Sequence, residues 1–417
     1  MNKQKSNIPK LRFPEFKGEW ERKMLYELFK FKVTNSYSRA DLNYEFGDVM
    51  NIHYGDIHTQ FSTLFDIEKE RVPYINSDIN IRRISDENYC KEGDLIFADA
   101  SEDYNDIGKS IEIINLKNAK VLSGLHTILA SPEKTRMAKG FAGYLMKSPN
   151  IRLQIQKVAQ GTKVLSISTG RLSKIDINYP SLPEQQKIAS FFTAIDRKIS
   201  QLKKKKTLLE QYKKGGMQKI FSQEIRFKDD NGQEYPKWET KTLGEVTVFR
   251  NGKAHEQDIS ANGKYIVVNS KFISTESEVK KYTDKRICLL EYGEIVMVMS
   301  DVPNGKALAK CFYIDSDSKY TLNQRICALK PIDVESRFLF YILNRNPYYL
   351  MFDSGVGQTN LAKDEVLDCP LFLPKSNQEQ TKIAHFLSAI DDKIIHTRKQ
   401  IEKAEVWKKG LMQQMFV

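Results

Sequence analysis

The 417-residue sequence is 41% apolar, enough to fill about two to four ordinary cores, and its five cysteines (Cys90, Cys288, Cys311, Cys327, Cys369) include no Cys-x-x-Cys pair, which excludes the usual zinc and redox motifs and favours reduced, cytoplasmic thiols. The polar N-terminus lacks an apolar signal core, and no run of ~18 apolar residues occurs, so neither export nor membrane insertion is expected. A net charge of +12, from 65 Lys plus Arg against 53 Asp plus Glu, favours a polyanionic partner without identifying it.

In chain order, the first elements are short β-type runs. WERKMLYEL at residues 20–28 leads to GDLIF at 93–97 and SGLHTI at 123–128, and a helical stretch is expected at about 139–159. Next comes a long helix. Ile188, Ile195, Leu202 and Leu209 recur every seven residues, with Phe192 and Ile199 four after the first two, a narrow seam that specifies packing against another long helix. Pro180 or Pro183 with Glu184 suits its start and Gly215-Gly216 its end, which predicts roughly 31 residues and a rod of about 46 Å. Residues 187–219 hold ten basic side chains against Asp196 and Glu210, a solvated face or a basic helix lying near phosphates or an acidic partner.

The same series then repeats: WETKTLGEV at 238–246, GEIVM at 293–297, TLNQRI at 321–326, and a helical stretch at about 337–352. It ends on a second long helix with Ile383, Leu387, Ile390, Ile394 and Ile401 in the seam. Residues 184–221 match 379–416 at 19 of 38 positions without a gap, and blocks earlier in the chain match at offsets that shrink from 218 to 195. Insertions and deletions therefore fall between blocks, where loops are expected. The prediction is an α+β chain with a pseudo-twofold internal repeat: a globule at 1–183, a helix at 184–221, a globule at 222–378 and a helix at 379–417, the helices pairing antiparallel between the globules.

Catalytic motifs fail on spacing. DYNDIGKS lacks the first glycine of a phosphate-cradling loop, the position being Asp103. NPYY at 346–349 has Tyr348 where a base-holding Asn-Pro-Pro-Tyr cluster needs proline, and reads instead as a helix break inside a core. HYGDIH at 53–58 is loosely spaced for a metal and has no counterpart in the second copy, so no metal site is expected.

LPEQQKIASFFTAIDRKI, its echo ending in EQTKIAHFLSAIDDKI, the KKGxMQ helix ends and the two Trp-initiated variable regions together resemble the specificity subunit of a type I restriction-modification enzyme, over essentially the whole chain. The resemblance implies a non-catalytic subunit whose two target-recognition domains each read half of a bipartite double-stranded DNA sequence. It also implies an antiparallel helical spacer docking two methylation subunits, to which two restriction subunits add. No cofactor is then expected on this chain, S-adenosylmethionine belonging to the methylation subunits and ATP with Mg to the restriction subunits. Gly216 standing opposite Leu411, together with the lysine excess of the first helix, departs from strict equivalence of the two helix ends.

DNA-reading candidates are the polar loops at corresponding places in the two halves. In the first half these are His53, Tyr54, Asp56, Thr59, Ser101, Tyr104, Lys109, Ser123, His126, Thr162 and Lys163. In the second they are Asn269, Ser270, Lys271, Ser300, Asn304, Lys306, Asn323, Gln324, Arg325, Gln358, Thr359 and Asn360, Gln324 suiting adenine and Arg325 guanine. Phe191, Tyr212, Phe386 and Trp407 lie off the main seam and are candidates for contact with partner chains. The alternative is a self-sufficient two-domain DNA-binding regulator whose coiled coil is purely structural.

Overall fold

The doubled Glu-Gln pair explains how each globule is tied to its helix. In a computed structural model, which describes residues 7–302, 305–353 and 355–417, Glu184 lies in the first turn of a helix spanning Leu182–Phe221 and Glu379 in that of a helix spanning Asn377–Met415. Glu184, 1% exposed, takes both ends of the Arg12 guanidinium at 2.8 and 2.7 Å. Glu379, equally buried, pairs with Arg226 and accepts the indole N–H of Trp238 at 3.1 Å. The neighbouring glutamines work alike: Gln185 accepts the backbone N–H of Ala138 and donates to Pro180, while Gln380 accepts that of Glu335 and donates to Pro374. One Glu-Gln dipeptide thus satisfies the buried backbone where helix meets globule, twice over.

The chain divides into two compact units, one of the described residues up to Lys203 with Lys399–Val417, the other of Lys204–Arg398. The first contains a five-stranded sheet in the order Phe29–Lys32, Thr127–Pro132, Leu95–Ala98, Ser110–Asn115, Leu64–Asp66, and a four-stranded sheet in the order Lys120–Ser123, Val49–Ile52, Tyr74–Ile75, Leu42–Asn43. The second contains Thr247–Asn251, Ile326–Pro331, Ile295–Val298, Cys311–Tyr313 and a three-stranded sheet of Tyr282–Thr283, Tyr265–Val268, Tyr320–Leu322. The runs LIFA and IVMV are buried at every position, which is why they read as unbroken apolar stretches. Gly93 and Gly293 turn the chain into them at φ +94° and +84°.

Each expected helical stretch is two helices. Phe141–Met146 and Pro149–Val158 part at Ser148-Pro149, and Ser336–Leu343 and Pro347–Leu350 part at Asn346-Pro347. A proline has no N–H to donate and biases the residue before it away from helix. In NPYY, Asn346 caps the new helix through Tyr348 N–H and Tyr349 is fully buried.

In each unit a stretch of one long helix runs antiparallel to a stretch of the other. In the first, Phe192 meets Phe416 at 5.8 Å and Lys203 meets Glu405 at 2.7 Å; in the second, Tyr212 meets Phe386 and Lys213 meets Asp391. The expected end at Gly215-Gly216 is corrected: both stay helical, and the helix runs 40 residues, about 60 Å rather than 46 Å. Glycine costs about 1 kcal/mol in a helix interior, but the following turn buries Ile220, with Met217 and Phe221 packed against the second core, and that burial outweighs the local preference.

A polar node joins globule to helices at matching positions. Tyr144 donates to Asp196 at 2.9 Å while Lys408 donates to its other oxygen at 2.5 Å; Tyr341 donates to Asp391 at 2.7 Å while Lys213 donates at 2.6 Å. Each ammonium also lies over its tyrosine ring, at 5.5 and 4.9 Å. The aspartates are the Asp of AID in both copies of the motif.

Buried in the first unit, Glu112 accepts the backbone N–H groups of Gly140 at 2.5 Å and Gly143 at 2.6 Å. Burial pushes its carboxyl up to about 7, the backbone donors pulling the other way. An unfolded glutamate titrates near 4.3, so between that value and about 7 the folded state alone keeps the proton. Stability from this group is complete below the unfolded value and is lost as pH rises through the folded one. Urea unfolding should therefore show the wild type losing stability relative to Glu112→Gln between about pH 5 and pH 8; a constant difference would refute the titration. Among the described residues, no helix is long and apolar enough to cross a membrane.

Candidate nucleic-acid interface

In the first unit, strand Val49–Ile52 delivers the chain to His53, whose Nδ1 accepts the N–H of Gly55 and starts the short helix Tyr54–Thr59. Burial, then Arg39, lowers the His53 pKa to about 4, so the ring is neutral at pH 7 and keeps the lone pair this cap requires. Asp56 is fully buried, taking Arg39 at 2.5 Å and Gln60 at 3.1 Å, and holds the loop before the helix against it. Thr59 is exposed, but its hydroxyl donates to Gly55 O. The Tyr54 ring sits among three imidazoles, 4.6 Å from His53, 6.0 Å from His58 and 5.3 Å from His126.

His126 comes from the loop between Lys120–Ser123 and Thr127–Pro132, with Nδ1 3.3 Å from Asp99. Ser123, the last residue of the strand before that loop, is buried and shares a hydrogen bond with Thr127. Ser101 pairs in register with Leu165, which brings the exposed Gly161, Thr162 and Lys163 beside it. Lys109, just ahead of strand Ser110–Asn115, donates to His58 O at 2.6 Å and ties that end of the strand to the helix at 54–59. Tyr104 is 51% exposed and makes no ring contact with the imidazole group.

The second unit repeats the layout with other residues. Asn269 caps Ser270–Ser274 through Phe272 N–H, with Ser270 half-buried and Lys271 exposed. Ser300 pairs in register with Asn360, donates to its amide oxygen at 2.6 Å and accepts from Gln358 at 2.7 Å; Thr359 is turned inward to Asp353. Asn323 is anchored through its N–H to Val268 O, Gln324 donates to Glu256 at 2.9 Å, and Arg325 and Lys306 are exposed. Asn304 lies outside the described residues.

In each unit these contacts link four segments that carry candidates: the turn after the parallel-paired strand, the short edge strand, the loop between sheets and a late polar loop. His53, Asp56, Ser101, Ser123, Ser300 and Thr359 are buried and face the fold; Thr162, Lys163, Lys271, Lys306, Gln324, Arg325 and Gln358 are among the candidates that face solvent. Sequence reasoning missed Arg39, His58 as an aromatic neighbour, and Asp99. A buried aspartate demands a cation, but Arg39 is 17 positions from Asp56, at no spacing a local pattern could flag.

The four candidates for partner contact pair with each other. Phe191 meets Trp407 edge-on at 6.1 Å in the first unit and Phe386 meets Tyr212 at 6.2 Å in the second, leaving Trp407 54% and Tyr212 58% exposed. Among the described residues no group of three or more His, Cys, Asp or Glu is placed to hold a metal ion.

The family described as the type I restriction modification DNA specificity domain matches twice, at residues 18–211 and 235–405, each match opening beside its tryptophan and running into a long helix. The chain belongs to that family. Among specificity-subunit relatives, a provisionally named type I restriction enzyme MjaX specificity subunit of Methanocaldococcus jannaschii is 25% identical over 97% of this chain and 95% of its own length. The MjaVIII specificity subunit of the same organism is 26% identical over 62% of this chain and 65% of its own. The crystal structure of the S subunit from M. genitalium superposes with a TM-score of 0.62 at 16% identity, covering 98% of this chain and 99% of that one. A chain from a structure on complex assembly and conformational transition of the type I R-M system gives 0.53 at 14% identity, covering 95% and 97%. At these identities the structures speak for the specificity-subunit fold alone.

Proposed function

We propose that the chain supplies DNA sequence specificity to a type I restriction-modification complex, each unit binding one half of a bipartite target through phosphates and the major groove. The helix pair sets the distance between the halves and docks two methylation subunits, to which two restriction subunits add. The chain itself carries no cofactor on this reading: S-adenosylmethionine is held by the methylation subunits, and ATP and Mg by the restriction subunits.

The observation that carries the reading is a repeated scaffold with unlike tips. Glu-Gln anchors, Tyr-Asp-Lys nodes and sheet order recur, whereas the four surface segments carry different polar side chains in the two units. Such a frame suits two different short sequences, since phosphate contacts position the protein while groove-edge contacts distinguish bases. A net charge of +12 supplies the attraction to phosphate.

The purified chain, S-adenosylmethionine and DNA should give no methyl transfer alone, and transfer at a split sequence once a cognate methylation subunit is added. Methylation by the chain alone, or tight sequence-specific binding indifferent to the partner, would favour the self-sufficient regulator or an enzyme instead.

A further inference from the structure

In each unit the chain crosses from one sheet to the other through three residues, Gly124-Leu125-His126 in the first and Asn323-Gln324-Arg325 in the second. The crossing is held the same way twice. The N–H of Gly124 reaches Ile52 O and that of Asn323 reaches Val268 O; the carbonyls of His126 and Arg325 accept the N–H groups of Asp99 and Met299, each at 3.0 Å. The carbonyls of Asp99 and Met299 in turn take the N–H groups of Ile167 and Leu361, each at 2.8 Å, which fixes the late polar loop beside the tip. His126 and Arg325 both adopt left-handed backbone, φ +54° and +66°. A large side chain there costs roughly 1–3 kcal/mol, and residues so placed concentrate at functional sites. Both side chains are exposed.

Their neighbours are otherwise occupied. Gln324 is bonded to Glu256, and Ser123 and Asn323 point into the fold. The Arg325 guanidinium has no hydrogen-bond or ion-pair partner among the described residues, which leaves its planar fork of donors free. The His126 Nδ1 faces the Asp99 carboxylate at 3.3 Å and its ring stands edge-on to Tyr54; Asp99 accepts a proton carried on Nδ1, and in that neutral tautomer Nε2 is left as an acceptor.

We infer that the residue at this crossing is a base reader in each unit, Arg325 for a guanine and His126 for the exposed amino group of an adenine or cytosine. The inference rests on the proposed function and narrows it to two side chains. Guanine offers N7 and O6 to a bidentate guanidinium in the major groove, whereas adenine N6 and cytosine N4 donate there to an acceptor. Asp99 is a positioning residue, acting on DNA through the His126 ring.

The test uses the complex with its methylation subunit and begins from the sites that the wild type modifies. Arg325→Ala should abolish the requirement for one guanine in one half-site, a loss of discrimination of roughly 5- to 150-fold, with the other half-site unchanged. Arg325→Lys should retain binding without restoring that discrimination. His126→Ala should relax one adenine or cytosine position in the opposite half, and Asp99→Ala should weaken discrimination at that same position and no other. With wild-type protein, 7-deazaguanine at the assigned guanine should lower binding by a similar factor, a result independent of whether any variant folds. Equal weakening on all sequences with base preferences intact would mark Arg325 as a phosphate contact and overturn the inference, as would insensitivity to 7-deazaguanine at every guanine. If the wild type modifies no split target, the proposed function itself fails.

Discussion

Glu379→Ala is expected to destabilise the second unit by about 3–5 kcal/mol, because it strands partners that have no other carboxylate. Glu379 is 1% exposed and serves both Arg226 and the Trp238 indole, so truncation leaves a mostly buried cation and a buried N–H without their acceptor. Arg226 still reaches the carbonyls of Tyr235 and Pro236, which satisfy donors but do not neutralise charge. Glu379→Gln should cost less, since its amide oxygen can still accept from Trp238. In the first unit, Glu184→Ala should act through Arg12 alone, as the Trp20 indole N–H has no partner to lose. Hydrogen exchange at strand Glu239–Thr242, which pairs with Pro370–Leu373 just ahead of the Asn377–Met415 helix, reads the effect locally. Unchanged protection in Glu379→Ala would show that the ion pair is dispensable there.

The seam of the long helices was legible because a seven-residue apolar period has few other uses, and Ile188, Ile195, Leu202, Ile383, Leu387, Ile390 and Ile401 are all buried. The end of the first helix was misread because Gly215-Gly216 is a local signal, whereas Ile220 and Phe221 answer to a core built largely from residues a hundred positions later. The surface segments were legible as corresponding blocks, though one residue out of register: the repeat aligns 123–128 with 321–326, which sets His126 opposite Gln324, whereas the hydrogen bonds match it with Arg325. What those blocks touch was not. Tyr54 meets His126 only because Lys120–Ser123 pairs parallel with Val49–Ile52, a register that no spacing in the sequence encodes. The Glu-Gln doublet stood out as repetition, but its purpose needed Arg12 and Arg226, which sit in loops at a different offset from the helices.

Inserting one heptad within residues 203–209 and a matching one within 398–404 should lengthen the gap in the recognised DNA while leaving both half-sites intact. On the proposed function, helix length is the ruler: seven residues add about 10 Å, or roughly three base pairs. A heptad preserves the seam because an ideal helix drifts only about 20° over seven residues, so Ile195, Leu202, Ile390 and Ile401 keep facing the partner helix. An insertion in one helix alone breaks that register and should cost folding rather than move the gap. Three base pairs turn the DNA by roughly 100°, taking 10 to 10.5 per turn, whereas the helices turn by about 20°. The lengthened protein must therefore twist itself or its target, and should modify the longer sites with reduced affinity. Sequencing of methylated sites reads both parts at once, the spacing and the bases. Unchanged spacing with weakened modification would show that something other than helix length sets the gap, and new bases in either half would show that the recognition surfaces do not act independently of the helices.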